Sequence, residues 1–400
     1  MNDDAGPQVA GAGGSQEADD FVPFALPDIG EAEVEAVTEA IRSRWLTSGP
    51  LTAHFENEFA DFLGGDVHAV AVNSATAGLH LALEALGVGP GDEIIVPTWT
   101  FTSTAEVVRY LGADPVIVDV DATTLNIDLD RAAAAITPRT VAIMPVHFAG
   151  LAVDRVRIAK LADRHGLKVI EDAAHAFPTV SDGELIGKGS SDAVVFSFYA
   201  TKTMTTGEGG MVVTPNEQVA ARVRTMRLHG ISNNVIDRHR SIVPSWRYDV
   251  AAPGFKYNLT DPAAAMGRVQ LRRTCEMLDR RASIAKRYCE AFLGLPLQLP
   301  AHAAQGDTHA WHLFVTRLTE DANIDRDTFI TNMAQEGVGC SVHFIPLHLH
   351  SYWREQYQLD SSQLPVATTE FAKVTSLPIF SSMADSQVDK VIRSVHKVLS

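Results

Sequence analysis

Lys202, Asp172 and Phe101 are the residues of this 400-residue chain whose types and positions most directly suggest chemistry. Each stands at the end of a short β-branched run: Phe101 follows EIIVP at 93–97, Asp172 closes LKVIED at 167–172, and Lys202 follows AVVFSF at 193–198. Open parallel sheets bind ligands outside the carboxyl ends of their strands, so these are the places to look for functional groups. Taken singly, each has an ordinary explanation. Asp172 can cap a turn, Lys202 can be a solvated lysine, and Phe101 can belong to the core. Taken together they meet a narrower requirement, that of pyridoxal phosphate. A lysine amine joins its aldehyde as a Schiff base, a buried carboxylate holds its pyridine nitrogen protonated, and an aromatic side chain lies against its ring. A phosphate site completes the set. Asn73-Ser74-Ala75-Thr76-Ala77 stands before a predicted helix at 77–86, whose free amides and dipole favour an anion, and Ser197 can add a hydroxyl.

The elements that would hold these residues follow from periodicity. Residues 31–44 and 77–86 have helical apolar spacing, whereas 93–97, 115–120, 141–146 and 167–172 are β-branched runs, and the strands at 193–198 and 210–214 continue the series. Repeated β-α-β units of this kind predict an α/β fold with a mostly parallel sheet between helices. After 215 comes a long helical stretch, an irregular piece at 243–256, and a second helical run at 262–292. Strands are then predicted at 312–318 and 338–345, with helices at 325–335, 366–374 and 386–399. This divides the chain into a tail at 1–20, a large α/β domain at 21–275 and a small C-terminal α+β domain at 276–400.

Composition narrows the partners. Lys and Arg number 33 against 49 Asp and Glu, a net charge of −16, which opposes phosphate-backbone binding and predicts no nucleic-acid partner. Three cysteines without paired spacing fit a reducing compartment. The first 20 residues lack the cationic and apolar parts of a secretion signal, and no apolar run reaches the ~18 residues of a bilayer span. A cytoplasmic protein with no membrane partner is expected.

Other chemistries fit less well. Gly183-Glu184-Leu185-Ile186-Gly187-Lys188-Gly189 has three residues between its first two glycines where a P-loop needs four, and it lacks the Ser or Thr that would meet magnesium, so a hairpin turn is expected. The Gly-rich stretch at 206–210 lacks dinucleotide spacing and is expected to turn the chain after Lys202. His309, His312, His343, His348 and His350 allow a metal-dependent reading, with His348 and His350 on one face of a strand, but no carboxylate stands at ligand spacing and no metal is expected. A bound-metal assay separates that reading from the cofactor reading, and amine transfer separates an enzyme from a non-catalytic regulator of the same fold.

The motifs, in order, are RWLTSGP (44–50), NSATAGLHLAL (73–83), GDEIIVPTWTFTSTA (91–105), PVHFAG (145–150), EDAAHAF (171–177), FSFYATKTMTTGEGGMVVT (196–214), GFKYNLTDPAAAMGRVQL (254–271) and VHFIPLH (342–348). From about Phe24 onward the sequence resembles the sugar aminotransferases of the DegT/DnrJ/EryC/StrS family. The resemblance implies an aspartate aminotransferase-like fold, pyridoxal 5′-phosphate as cofactor, and Lys202 as the lysine that binds it and moves the proton; dehydratase-like relatives have histidine there. It further implies that Asp172 meets the ring nitrogen and Phe101 the ring face. His175 meets the phenolic oxygen, where many relatives have glutamine. Ala75, Thr76 and Ser197 take the phosphate, with Ala75 replacing a commoner glycine. In GFKYN, Lys256 occupies a usual Asn position and Asn258 a usual Arg position, and one of them is expected to reach the neighbouring subunit's cofactor phosphate in a homodimer with shared active sites. Trp45, Thr47, Ser48, His229 and His343 are expected to border the substrate, a nucleoside-diphosphate keto sugar aminated at carbon 4, with carbon 3 as the rival and glutamate as the donor.

Overall fold

Strands buried on both faces need apolar side chains on both, and the β-branched runs supply them. The structure, a computed structural model, describes residues 21–231 and 248–400. The tail expected at 1–20 and part of the irregular piece expected at 243–256 lie outside the described residues. In chain order the elements begin with α1 (Glu31–Arg42), α2 (Pro50–Phe62), β1 (His68–Val72), α3 (Ala75–Ala85), β2 (Glu93–Pro97), α4 (Ser103–Tyr110), β3 (Asp114–Val118) and α5 (Leu129–Ala134). They continue with β4 (Thr140–Ile143), α6 (Arg155–His165), β5 (Lys168–Asp172), β6 (Val180–Ser181), β7 (Glu184–Leu185), β8 (Ala193–Ser197), β9 (Gly210–Thr214) and α7 (Glu217–Met226). Then come α8 (Asp261–Ala291), β10 (Leu297–Gln298), β11 (Phe314–Leu318), α9 (Arg326–Gln335), α10 (Ser351–Tyr357), α11 (Pro365–Phe371), β12 (Val374–Leu377) and α12 (Asp385–Leu399).

Among the described residues the main sheet has seven strands in the order β1-β9-β8-β5-β4-β2-β3. The pairs from β3 through β8 are parallel, as expected, while β9 lies antiparallel between β1 and β8. Helix α3 crosses this sheet at close range because Gly78 has no side chain. A Cβ there would stand 2.7 Å from Val195 Cγ1. A separate antiparallel sheet, β10-β11-β12, packs with α9 and α12 around Phe292, Phe314, Phe329 and Val391. The 31-residue α8 joins both cores: Ala264 and Leu271 pack with Phe55 and Phe59, whereas Ile284 and Tyr288 pack with Phe314. Removing such apolar side chains from water stabilises the fold by about 1.5–3 kcal/mol each.

Two predicted elements are corrected. The run at 338–345 is not a strand: its backbone makes isolated bridges, Val338 with Val22 and Ser341 with Ser376, before the chain turns toward the sheet edge. The helix predicted at 366–374 ends at Phe371, and the edge position beside β11 is taken by β12. The hairpin turn expected at 183–189 lies earlier, at Asp182-Gly183 between β6 and β7, both residues with positive φ (53° and 75°) as a primed turn requires.

Candidate active site

Parallel strands deliver their carboxyl ends to one edge, and a cavity of about 470 Å³ opens there. Asp172, the last residue of β5, Ser197, the last of β8, and Phe101, in the turn after β2, all line it. So do Lys202, His175 and His343. The first turn of α3 contributes Ala75 and Thr76. Of the residues the sequence singled out, these eight are brought together.

Asp172 is buried. The Thr104 hydroxyl donates to its Oδ2 at 2.9 Å and the Ala174 amide to its Oδ1 at 3.1 Å, while Thr100 donates to Thr104 at 2.7 Å. Burial pushes its carboxyl above the usual carboxylate range, against those hydrogen bonds and the charge of Lys202. No Lys or Arg among the described residues forms an ion pair with it, so it presents an uncompensated carboxylate to the cavity. Lys202 has the complementary condition. Burial brings its ammonium down to about 8, with Asp172 pulling the other way, so the free amine is accessible near neutral pH. Its Nζ lies 3.5 Å from His312 Nε2.

The backbone settles the proton on His175. The Ala149 amide donates to its Nδ1 at 3.3 Å, so a neutral ring carries its hydrogen on Nε2. Burial, with the charge of Lys202, holds the ring well below its ordinary value and therefore neutral. The amide is aimed by PVHFAG, where Ala149 and Gly150 both have positive φ (58° and 100°). A Cβ on Gly150 would stand 2.9 Å from Ala310 Cβ. Burial likewise brings His343 down to about 4, and its Nδ1 lies 3.0 Å from Ser376 Oγ.

At the helix end, Ser74 caps α3 by accepting from the Ala77 amide at 3.1 Å. The amides of Ala75 and Thr76 have no acceptor within the helix, as in any first turn. Gly210 lets β9 begin against them: a Cβ there would lie 2.8 Å from the Ala75 nitrogen and 2.9 Å from the Phe196 carbonyl oxygen. Phe101 is 57% exposed, which rules out its reading as a core residue, and its ring lies 5.8 Å from Phe344. A phosphorylated aromatic aldehyde with a cationic ring nitrogen fits this set: amides for its phosphate, a carboxylate without a counter-ion, a free amine, and an open aromatic face.

Behind the cavity, on the opposite side of β5, Glu171 accepts from His147 at 2.7 Å, Arg155 at 3.3 Å and the Ser191 hydroxyl. Burial acts to raise its carboxyl, but His147, Arg155 and Ser191 outweigh it and bring it down to about 2. This ties β5 to the segment after β7, since Arg155 also donates to the Lys188 carbonyl.

The remaining expected site residues lie outside this cavity. The Asn258 amide donates to Ser48 Oγ at 2.8 Å, the Lys256 ammonium donates to Asn258 Oδ1, and Trp45 Nε1 donates to the Ser48 carbonyl at 3.2 Å. Thr47 is exposed and its carbonyl accepts from the Asp261 amide at 3.3 Å. His229 is exposed, with φ 60°, and its amide donates to Phe255. Of the five residues expected to border the substrate, His343 alone lines the cavity of its own chain, because Asp261 holds the 45–52 segment against α8. The strand expected to carry His348 and His350 is a 3-10 turn at Leu347–Leu349, and His348 is hydrogen-bonded at 2.8 Å by both Thr98 and Thr368. Among the described residues no group of three or more His, Cys, Asp or Glu side chains is placed to hold a metal ion, and no helix is long and apolar enough to cross a membrane.

Sequence reasoning did not assign His312, Thr104, Tyr199 or Phe344 to the site, although all border Lys202 or Asp172 or the cavity. His312 precedes β11 of the other sheet, so inspecting the carboxyl ends of strands passes it over.

The sequence pattern of the DegT/DnrJ/EryC1/StrS aminotransferase family matches residues 27–396. The chain is 45% identical over 386 residues to the spore coat polysaccharide biosynthesis protein SpsC of Bacillus subtilis (strain 168), covering 96% of this chain and 98% of that one. Its structure is similar to that of Spr1654 from Streptococcus pneumoniae in the PMP form, with a TM-score of 0.88, 33% identity, and 94% and 98% of the two chains covered. It is also similar to the aminotransferase TlmJ from Streptoalloteichus hindustanus, with a TM-score of 0.86, 34% identity, and coverage of 95% and 99%.

Proposed function

Because the chain belongs to the DegT/DnrJ/EryC1/StrS aminotransferase family, we propose that it moves an amino group from glutamate to carbon 4 of a keto sugar carried on a nucleoside diphosphate. Membership makes the protein a pyridoxal-phosphate-dependent sugar aminotransferase of the aspartate aminotransferase-like fold. The observation that supports the residue roles below is one cavity gathering Lys202, Asp172 and the first turn of α3. When bound, pyridoxal phosphate supplies an aldehyde that carries the amino group between two half-reactions and a ring that takes up negative charge.

The residues do the rest. The amides of Ala75 and Thr76, with the Ser197 hydroxyl, bind the phosphate at the positive end of α3. Asp172 holds the proton on the ring nitrogen, which relieves the cost of its own burial. His175 donates its Nε2 hydrogen to the phenolic oxygen, and Phe101 covers the ring. Lys202 would take the α-hydrogen of the amino-acid donor at Nζ and return a proton before the keto acid leaves, and in the second half-reaction, run in reverse, it would deliver a proton to the sugar carbon. His343 borders the sugar. Lys256 and Asn258, with Trp45, Thr47, Ser48 and His229, do not line their own cavity and serve the partner's site in a homodimer. We place the division between large and small domains at 275, within α8, whose two halves pack in different cores. Three free cysteines suit the cytoplasm.

Carbon 4 rests on the EDAAHA and GFKYN variants, which resemble members that aminate that position. The experiment incubates the enzyme with glutamate and either a 4-keto or a 3-keto nucleotide sugar and locates the new amine by NMR. An amine at carbon 4 is expected, and preference for the 3-keto compound overturns the position. Lys202→Ala is expected to abolish turnover; full transamination by that variant would overturn the role of the lysine.

A further inference from the structure

The geometry points to His312 as a positioning residue for Lys202, its Nε2 accepting a hydrogen from Nζ, and to Arg281 as the group that holds His312 in place. This rests on the reading of Lys202 as the proton-moving amine.

His312 is buried, and its ring stands 4.3 Å from that of His175. Its Nε2 lies 3.5 Å from Lys202 Nζ, and its Nδ1 is buried without a hydrogen-bond partner. His348, by contrast, satisfies both nitrogens with two threonine hydroxyls. One nitrogen left orphaned inside the protein is unfavourable and calls for an explanation. The contact with Lys202 fixes the tautomer that leaves it so: an ammonium has donors only, so Nε2 must be the acceptor and Nδ1 must carry the ring hydrogen, a cost accepted for the bond to Nζ. At 3.5 Å the bond is long, as such bonds are in sites that tighten when filled. The charged and titratable groups facing the ring are Lys202, His175, Arg281 and His343. No carboxylate is among them, so the ring remains neutral and keeps its lone pair.

Arg281, on α8, is 2% exposed, and among the described residues no carboxylate forms an ion pair with it, Asp28 acting only at longer range. Its Nη1 instead donates to three carbonyls, those of Trp311 at 3.2 Å, His312 at 3.4 Å and Ile379 at 2.9 Å. A buried guanidinium without a counter-ion is costly, and this one is spent on the backbone of the residue beside Lys202. Trp311, immediately before His312, has φ 48°, an uncommon conformation for a tryptophan. A lysine amine sits on a flexible stem with three rotatable donors, and an acceptor fixed at one of them orients the lone pair that moves the proton.

The test uses His312→Phe, which keeps a ring and removes the acceptor, and His312→Gln, which keeps an acceptor. Two readouts are taken: kcat and donor KM of the holoenzyme, and the pH midpoint for acetylation of the Lys202 amine in the apoprotein, followed by mass spectrometry of its peptide. His312→Phe is expected to lower kcat about ten- to a hundredfold with KM within about threefold, and to move the Lys202 midpoint down by about half a pH unit or more, because the ammonium loses an acceptor. His312→Gln restores most of both. Arg281→Met reproduces the effect and Arg281→Lys softens it. Should His312→Phe not fold, His312→Asn, too short to reach Nζ, takes its place under the same criteria. An unchanged midpoint, or equal losses in the Phe and Gln variants, overturns the proposal. Lys202→Ala separates the two readings: if it remains active the lysine assignment has failed, and if it is dead while His312→Phe is unaffected the positioning role has failed.

Discussion

Lys202 carries its charge where burial disfavours it, and Asp172 only partly compensates. The consequence is a prediction about the empty enzyme. An aldehyde is captured by the free amine, so the rate of reconstituting apoprotein with pyridoxal phosphate should rise with pH through a midpoint near 8 and level off above it. His175, His312 and His343 are all held below their ordinary values and add no step at or above the ordinary histidine range. A stopped-flow series across pH reads this directly, and a midpoint near the ordinary lysine value would refute it. At this scale the sequence was informative because Lys202, Asp172, Phe101 and Ala75-Thr76 each follow a strand or open a helix, where side chains converge whatever the details of packing. His312 reaches the cavity from the entrance to a strand of another sheet, and Thr104 reaches Asp172 from the first turn of α4. The sequence offered His312 only within a histidine cluster, and only three-dimensional packing turns it toward Lys202.

Helix α8 is the element on which the rest of the site depends, and Asp261 at its start shows how. Its carboxylate accepts from the Gly49 amide at 2.7 Å, the Thr52 amide at 3.0 Å and the Thr52 hydroxyl at 2.7 Å, fixing the entry to α2 and the 45–48 segment. Asp261→Ala leaves these buried donors unpaired and is expected to cost about 2–4 kcal/mol, with Asp261→Asn costing about half as much because one acceptor oxygen remains. Urea unfolding at fixed protein concentration measures both, and a loss under about 0.5 kcal/mol for Asp261→Ala would remove the anchoring role. The elements themselves were unevenly readable. EIIVP and AVVFSF are continuous β-branched or aromatic runs and became β2 and β8, whereas HAVAV at 68–72 is rich in alanine and passed unrecognised as β1. The run at 338–345 has strand composition but pairs only at Val338 and Ser341, because β12 occupies the place beside β11. Composition reports that a segment suits a sheet, not that an edge is free to receive it.

At the scale of the whole molecule, we propose that a partner subunit completes the cavity. Phe101 and Tyr199 stand exposed at its mouth, and Leu46 is exposed in the 45–48 segment, an arrangement that places apolar surface where a partner can cover it. Asn258 is bonded to Lys256 and to Ser48, and neither Lys256 nor Asn258 lines the cavity of its own chain, although the segment runs beside Val72 and Asn73. In a two-fold dimer the same patch of each subunit meets the other, so a segment outside its own cavity can complete the partner's. The expected outcome can be worked through site by site. One subunit carries Lys202→Ala; the other carries Lys256→Ala with Asn258→Ala. If sites are shared, the heterodimer has one site with both defects and one with neither. If each chain completes its own site, both sites of the heterodimer are defective. Equal co-expression with separate tags, followed by random pairing, therefore gives about a quarter of wild-type specific activity in the shared case, since half the dimers are mixed and half their sites are intact. Doubly tagged material purified away from homodimers should then reach about half. Activity no higher than that of the two parent variants would show that each cavity is completed by its own chain, and a fully active monomer in sedimentation would show the same without mutagenesis.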